Sequence, residues 1–178
     1  MGWKDRLDVL RWMEIADSLF GGHTRQVVHG ISMGAATTMM VSGEELPPYV
    51  KCFVEDCGYT SVREQFAKEL RGQFGLPAFP LLDVASWLCG LKYGWTFGEA
   101  SALKQVARCD RPMFFIHGDA DDYVPTAMVY PLYEAKPGEK ELWVVPGAAH
   151  ALSYRDNRAE YTRRVGEFVG RYIPEERN

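Results

Sequence analysis

The stretch Gln26-Val27-Val28-His29-Gly30-Ile31-Ser32-Met33-Gly34-Ala35-Ala36 decides the fold. Its first four residues are a short apolar, β-branched run of the kind that pairs into a sheet. Its last residues are small and lead into a helical segment that opens at Met33 and ends near Gly43. The five residues between them read G-x-S-x-G, in the strand–turn–helix setting that this pattern requires of a nucleophile. A serine on so sharp a turn is expected to need both glycines, because a Cβ at Gly30 or at Gly34 would meet the neighbouring strand or helix. The Ser32 hydroxyl then projects above the sheet, and the helix N-terminus behind it favours developing negative charge.

Working outward, three further apolar runs repeat the pattern of strand followed by helix or loop: Val50–Val54, Met113–Ile116 and Leu142–Val145. A first helix precedes them, with Val9, Trp12, Met13, Ala16 and Leu19 on one stripe and Gly21-Gly22 as its stop. Another helix begins after Val124-Pro125-Thr126, where a proline in the first turn costs little. The last runs from about Arg158 to Tyr172, with Tyr161, Val165, Phe168, Val169 and Tyr172 aligned. Strands alternating with helices of this length give an α/β fold: a parallel sheet of about four strands with helices on both faces. The chain is read as a single, partial domain over residues 1–178. Residues 61–109 are longer than one crossover needs and crowded with aromatics, so they are expected to form a helical lid insertion. Within that insertion Phe66, Phe79, Trp87 and Trp95 are the candidate substrate-binding residues. Extra helices that only cover core are the plainer alternative.

Composition bounds the function. The chain has 178 residues, 20 Lys+Arg against 24 Asp+Glu, 47% hydrophobic and 13% aromatic residues. That is enough apolar content for a packed core and excludes intrinsic disorder. The mild acidic balance without basic clusters argues against a nucleic-acid or anionic-membrane surface. No apolar run approaches the roughly 18 residues of a membrane span. Cys52, Cys57, Cys89 and Cys109 fit no zinc or redox spacing and read as reduced thiols of a cytoplasmic protein.

A serine hydroxyl needs a base. His23 lies in a loop ahead of the first strand; His29 and His117 close strands and are expected to support loops. His150, in Pro146-Gly147-Ala148-Ala149-His150-Ala151, follows the last strand on a small-residue loop that lets an imidazole swing over the sheet's carboxyl edge. It is the preferred base. The carboxylate that should orient it is sought in His117-Gly118-Asp119-Ala120-Asp121-Asp122, where Asp121 is the choice. Asp119 and Asp122 can instead cap the turn or the next helix, and Asp56, at the end of the second strand, is a genuine rival. No metal or organic cofactor is expected, since no histidine–carboxylate cluster has ligand spacing.

The chain order Ser32…Asp121…His150 is that of α/β-hydrolases. The chain resembles the C-terminal portion of an α/β-hydrolase of the bacterial serine aminopeptidase-like and acyl-ester hydrolase group. The resemblance runs through His29–Ala36, Glu55-Asp56-Cys57-Gly58-Tyr59-Thr60-Ser61, Ile116–Asp121 and Gly147–His150. It implies that Ser32, Asp121 and His150 are nucleophile, acid and base. It also implies strands ahead of the nucleophile strand, one carrying a second oxyanion N–H. Here only one helix precedes Gln26, so the fold is expected to be a truncated α/β-hydrolase, with the N–H of Met33 as the identifiable oxyanion donor. A fragment of a longer domain is the preferred account; a short protein that closes its own edge is the other. Both leave the first strand bare and predict a homodimer or higher oligomer formed through it. The expected function is a serine hydrolase cleaving a carboxylic ester or small amide with an apolar portion, impaired by the lost donor. The alternative is a non-catalytic remnant acting as an oligomeric or binding module. A phosphate cradle at Gly30–Gly34 lacks the Lys-Ser/Thr pair of a P-loop.

Overall fold

The computed structural model describes residues 1–173. Four strands, β1 (Gln26–Ile31), β2 (Val50–Asp56), β3 (Met113–Gly118) and β4 (Lys140–Val145), form one sheet in the order β1-β2-β3-β4, and all three pairings are parallel. Eight α-helices and one 3-10 turn (Thr126–Met128) accompany them among the described residues, the α-helices being α1 (Asp5–Leu19), α2 (Met33–Ser42), α3 (Val62–Phe74), α4 (Leu81–Tyr93), α5 (Ala102–Val106), α6 (Val129–Ala135), α7 (Ser153–Asp156) and α8 (Arg158–Gly170).

Alternation along the strands sorts the core into two layers. Phe53, Met113 and Phe115 point to the face covered by α1, α2, α5 and α6. Cys52, Val54, Phe114, Ile116 and Trp143 point to the other, where Tyr161 and Phe168 of α8 close the layer. The strand order advances in one direction only, so right-handed crossovers place their helices on a single face. The other face is left to the helix after the last strand.

The segment 61–109 holds α3, α4 and α5. Ser61 and Ser101 cap α3 and α5, each accepting an N–H from the third residue on, and the two caps also bridge to each other. α5 contributes Ala102 and Val106 to the main core, whereas α4 exposes Val84, Trp87, Leu88 and Leu91.

The first helix departs from its sequence reading. Only Met13 of the expected stripe is buried; Trp12 is 67% and Leu19 76% exposed. The reason lies in the sheet. β1 is an edge strand; Gln26 Nε2 at its start donates to Met13 O (2.9 Å), while the Arg6–Glu44 pair (2.8 Å) ties α1 to the chain just past the end of α2. Its apolar side therefore overhangs an uncovered groove of about 440 Å³ lined by Val9, Trp12, Val27, Val28 and Gly34. Among the described residues, no helix is long and apolar enough to cross a membrane.

Candidate active site

Ser32 stands between β1 and α2 with φ 56° and ψ −117°, a conformation that costs a non-glycine residue and is held only where the surroundings enforce it. Its N–H donates to Asp56 O (2.8 Å) and its carbonyl accepts from Ala36 N (3.0 Å). The Gly30 requirement is real: a Cβ there would overlap the carbonyl of Gly34 and the Thr38 hydroxyl. The requirement expected at Gly34 is not, since nothing lies within 4 Å of a Cβ at that position. Gly34 lines the open groove beside β1, and although its carbonyl packs against Gly30, the direction a Cβ would take is free.

The three side chains chosen from sequence converge. Ser32 Oγ lies 2.7 Å from His150 Nε2, and His150 Nδ1 lies 2.8 Å from Asp121 Oδ2. The loop that delivers His150 is set by a close approach: a Cβ on Gly118 would collide with the Ala148 carbonyl, and Ala120 N–H donates to that carbonyl at 3.1 Å. Asp119 Oδ1 accepts the Gly147 N–H (2.6 Å), which ties the loops after β3 and β4 together.

Asp121 is held from several sides. Oδ1 accepts the N–H groups of Tyr123 (3.0 Å) and Val124 (2.8 Å), while Oδ2 also faces His117 Nε2 at 3.3 Å. Burial opposes its charge, but hydrogen bonds from His117, His150 and Val124 outweigh that and hold its carboxyl far below the usual range. The rival, Asp56, is occupied elsewhere. It is buried, accepts Ser153 Oγ at 3.1 Å, and burial pushes its carboxyl up. His117 also lies 2.9 Å from Val124 O, and His29 contacts the Tyr161 hydroxyl (2.9 Å).

Met33 opens α2, so its N–H has no intrahelical acceptor by geometry, and its side chain is half exposed. The four insertion aromatics divide. Phe66 and Trp95 pack against the buried Phe97, with ring centroids 5.1 and 6.0 Å away, whereas Phe79 and Trp87 are exposed. Sequence reasoning missed Tyr123, whose ring sits 4.8 Å from that of His150; α3 supports it through Gln65 Nε2 donating to Tyr123 O (3.0 Å). It also missed Cys57. Ligand atoms of Cys57, Asp121 and His150 lie within 4.8 Å of one another, and their remoteness in sequence gave no spacing signal.

Residues 2–176 match the prolyl oligopeptidase family. The chain belongs to that family. It is therefore a member of the α/β-hydrolase superfamily, and solved structures agree. The chain is similar to the esterase Pf2001 of Pyrococcus furiosus, with 26% identity and a TM-score of 0.72, over 97% of this chain and 63% of that one. Against the acylaminoacyl peptidase of Pyrococcus horikoshii the TM-score is 0.71 at 18% identity, covering 99% of this chain and 29% of that one, a likeness of fold. The uncharacterized protein YqkD of Bacillus subtilis (strain 168) is 36% identical over 142 residues, which are 80% of this chain. The chain spans about half, 47%, of that relative's length.

Proposed function

We propose that this prolyl oligopeptidase family chain carries the triad of a serine hydrolase that cleaves a carboxylic ester or small amide through an acyl-serine. The observation that carries the reading is the unbroken line Ser32 Oγ–His150–Asp121, at 2.7 and 2.8 Å. His150 Nε2 takes the Ser32 proton as Oγ attacks the carbonyl carbon. Asp121 stays ionised and steadies the imidazolium through Nδ1. The oxyanion develops toward Met33 N–H and the start of α2. His150 then gives its proton to the leaving alkoxide or amine, and water, activated by the same ring, releases the acid.

Ester substrates are favoured by the 26% identity to the Pyrococcus furiosus esterase. Tyr123, with its ring 4.8 Å from that of His150, and the Met33 side chain next to Ser32 offer exposed apolar surface for the acyl or alcohol portion, and a role for the exposed Phe79 and Trp87 of the insertion is part of the same proposal. Met33 N–H is the donor the nucleophile's own turn supplies, and loss of one oxyanion donor slows turnover about 10²–10³-fold.

Intact-mass analysis after treatment with a fluorophosphonate, with hydrolysis of short and medium-chain aryl esters in parallel, tests this. One adduct on Ser32 is expected, absent in Ser32→Ala and nearly absent in His150→Ala. A folded chain whose Ser32 resists the reagent would overturn the hydrolase reading and favour a binding module.

A further inference from the structure

Cys57 is a buried side chain that the reaction above does not use. It follows β2 with φ 53°, a left-handed conformation that costs a non-glycine residue roughly 1–2 kcal/mol. Its N–H donates to Ile116 O (2.9 Å), and its sulfur faces the backbone N–H groups of Ala151 and Ser32. The thiol thus sits where the nucleophile turn, the end of β2 and the base loop meet. Burial pushes it well up, and the neighbouring Asp56 adds to that. Such a thiol is a poor free nucleophile.

Its sulfur is nonetheless one corner of a triangle. The other corners are a carboxylate oxygen of Asp121 and a ring nitrogen of His150, all within 4.8 Å of one another. Tetrahedral zinc, with Zn–S near 2.3 Å and Zn–N and Zn–O near 2.0–2.2 Å, sets its ligand atoms about 3–4 Å apart. Closing this triangle on a cation therefore takes a contraction of no more than about 1–2 Å. One sulfur, one nitrogen and one oxygen form a donor set for borderline-soft divalent ions. Three protein ligands leave a fourth position for water.

We propose that Cys57, Asp121 and His150 form an inhibitory site for a thiophilic divalent cation, zinc or cadmium, built into the triad. Its inhibitory effect rests on the hydrolase reading. On binding, the Cys57 thiol releases its proton to solvent and the thiolate, one Asp121 oxygen and one imidazole lone pair go to the cation. If the cation takes Nε2, the lone pair that would accept the Ser32 proton is consumed. If it takes Nδ1, the ring proton moves to Nε2, which then faces Ser32 as a donor. In either case the base is lost and Ser32 stays a neutral alcohol. Asp121 keeps its two backbone N–H donors throughout.

Titration of the full chain with cadmium chloride tests this, read by the ultraviolet thiolate-to-cadmium band and by the rate of fluorophosphonate labelling at Ser32. One saturating band per chain is expected, with labelling lost over the same range. Binding should weaken more than ~10-fold in Cys57→Ser and in Asp121→Asn, the least that even an outer-shell partner contributes. Cys89→Ala, which removes the one cysteine that is not fully buried, should leave the band in place. Crystals of the unaltered chain soaked in cadmium should show the anomalous peak between the three side chains, whatever the variants do. No band, a band undiminished in Cys57→Ser, or an anomalous peak elsewhere would overturn the site. A band at Cys57 in a chain whose Ser32 never labels would leave the cation site standing and sink the hydrolase reading.

Discussion

The two glycines flanking Ser32 should respond to alanine in opposite directions. At Gly30 the added methyl would overlap the backbone carbonyl of Gly34 and the hydroxyl of Thr38. The carbonyl belongs to the first turn of α2 and cannot rotate away, so strand end and helix start must separate by about 1 Å to regain van der Waals contact. Overpacking of this kind costs about 1–3 kcal/mol. Because that separation lies across the Ser32 turn, the hydroxyl moves relative to His150, and misplacement by about 1 Å can slow chemistry about 10²-fold. At Gly34 nothing lies within 4 Å, and alanine there replaces a helical glycine for a gain of about 0.5–1 kcal/mol. Denaturant unfolding of the two variants should therefore differ by about 1.5–4 kcal/mol, with the unaltered protein between them. Fluorophosphonate labelling of Gly30→Ala should fall with its stability. Equal destabilisation by both substitutions would show that something packs against Gly34 in solution and would refute the reasoning from an open edge.

Other perturbations probe the supports of the site. Asp121→Asn should cut ester turnover about 10⁴-fold with the fold retained, because an amide facing Nδ1 selects the wrong tautomer. The carboxyl of Asp121 is depressed in the folded chain, so its stabilisation is present above the ordinary carboxylate value and fades as pH falls through the folded value. The stability gap between the unaltered protein and Asp121→Asn should close on acidification, as urea titrations at several pH values would show. His117→Ala removes one donor from a charged acceptor and should slow labelling about tenfold, with partial rescue by His117→Gln. Glu55 is fully buried, accepts Gly58 N–H at 3.0 Å, and burial pushes its carboxyl well up. Its raised value means stability is lost as pH climbs above the ordinary glutamate range, a slope that Glu55→Gln should abolish in the same titrations. A second copy of the chain is expected to cover β1 and the overhanging face of α1. Sedimentation should give a dimer or larger species that Trp12→Lys weakens, and a stable monomer at micromolar concentration would defeat this.

How legible each part was depends on what surrounds it. β2 and β3 are buried on both faces, so their sequences are nearly continuous apolar runs and needed no partner to be recognised. β4 begins two residues earlier than its apolar run, because Lys140 and Glu141 pair with Met113 and Phe114 on backbone geometry that side-chain hydropathy does not report. The α1 stripe shows the converse. Its period predicted a helix, and a helix formed, but a hydrophobic stripe states only that a face needs covering and not what covers it. Ser32, Asp121 and His150 could be found because each sits on a strand-end loop with its own local pattern of glycines and small residues. His117 was legible as a support of the loop after β3, which it contacts at Val124 O; the places of Cys57 and Tyr123 were not. Their places around the triad arise from segments at the ends of different strands meeting at one edge, from the 2.9 Å contact of Cys57 N–H with Ile116 O to the tilted contact of the Tyr123 ring with that of His150. Sequence patterns thus located the three residues of the proposed triad, while the groups packed around them became visible only when the sheet brought its carboxyl ends together.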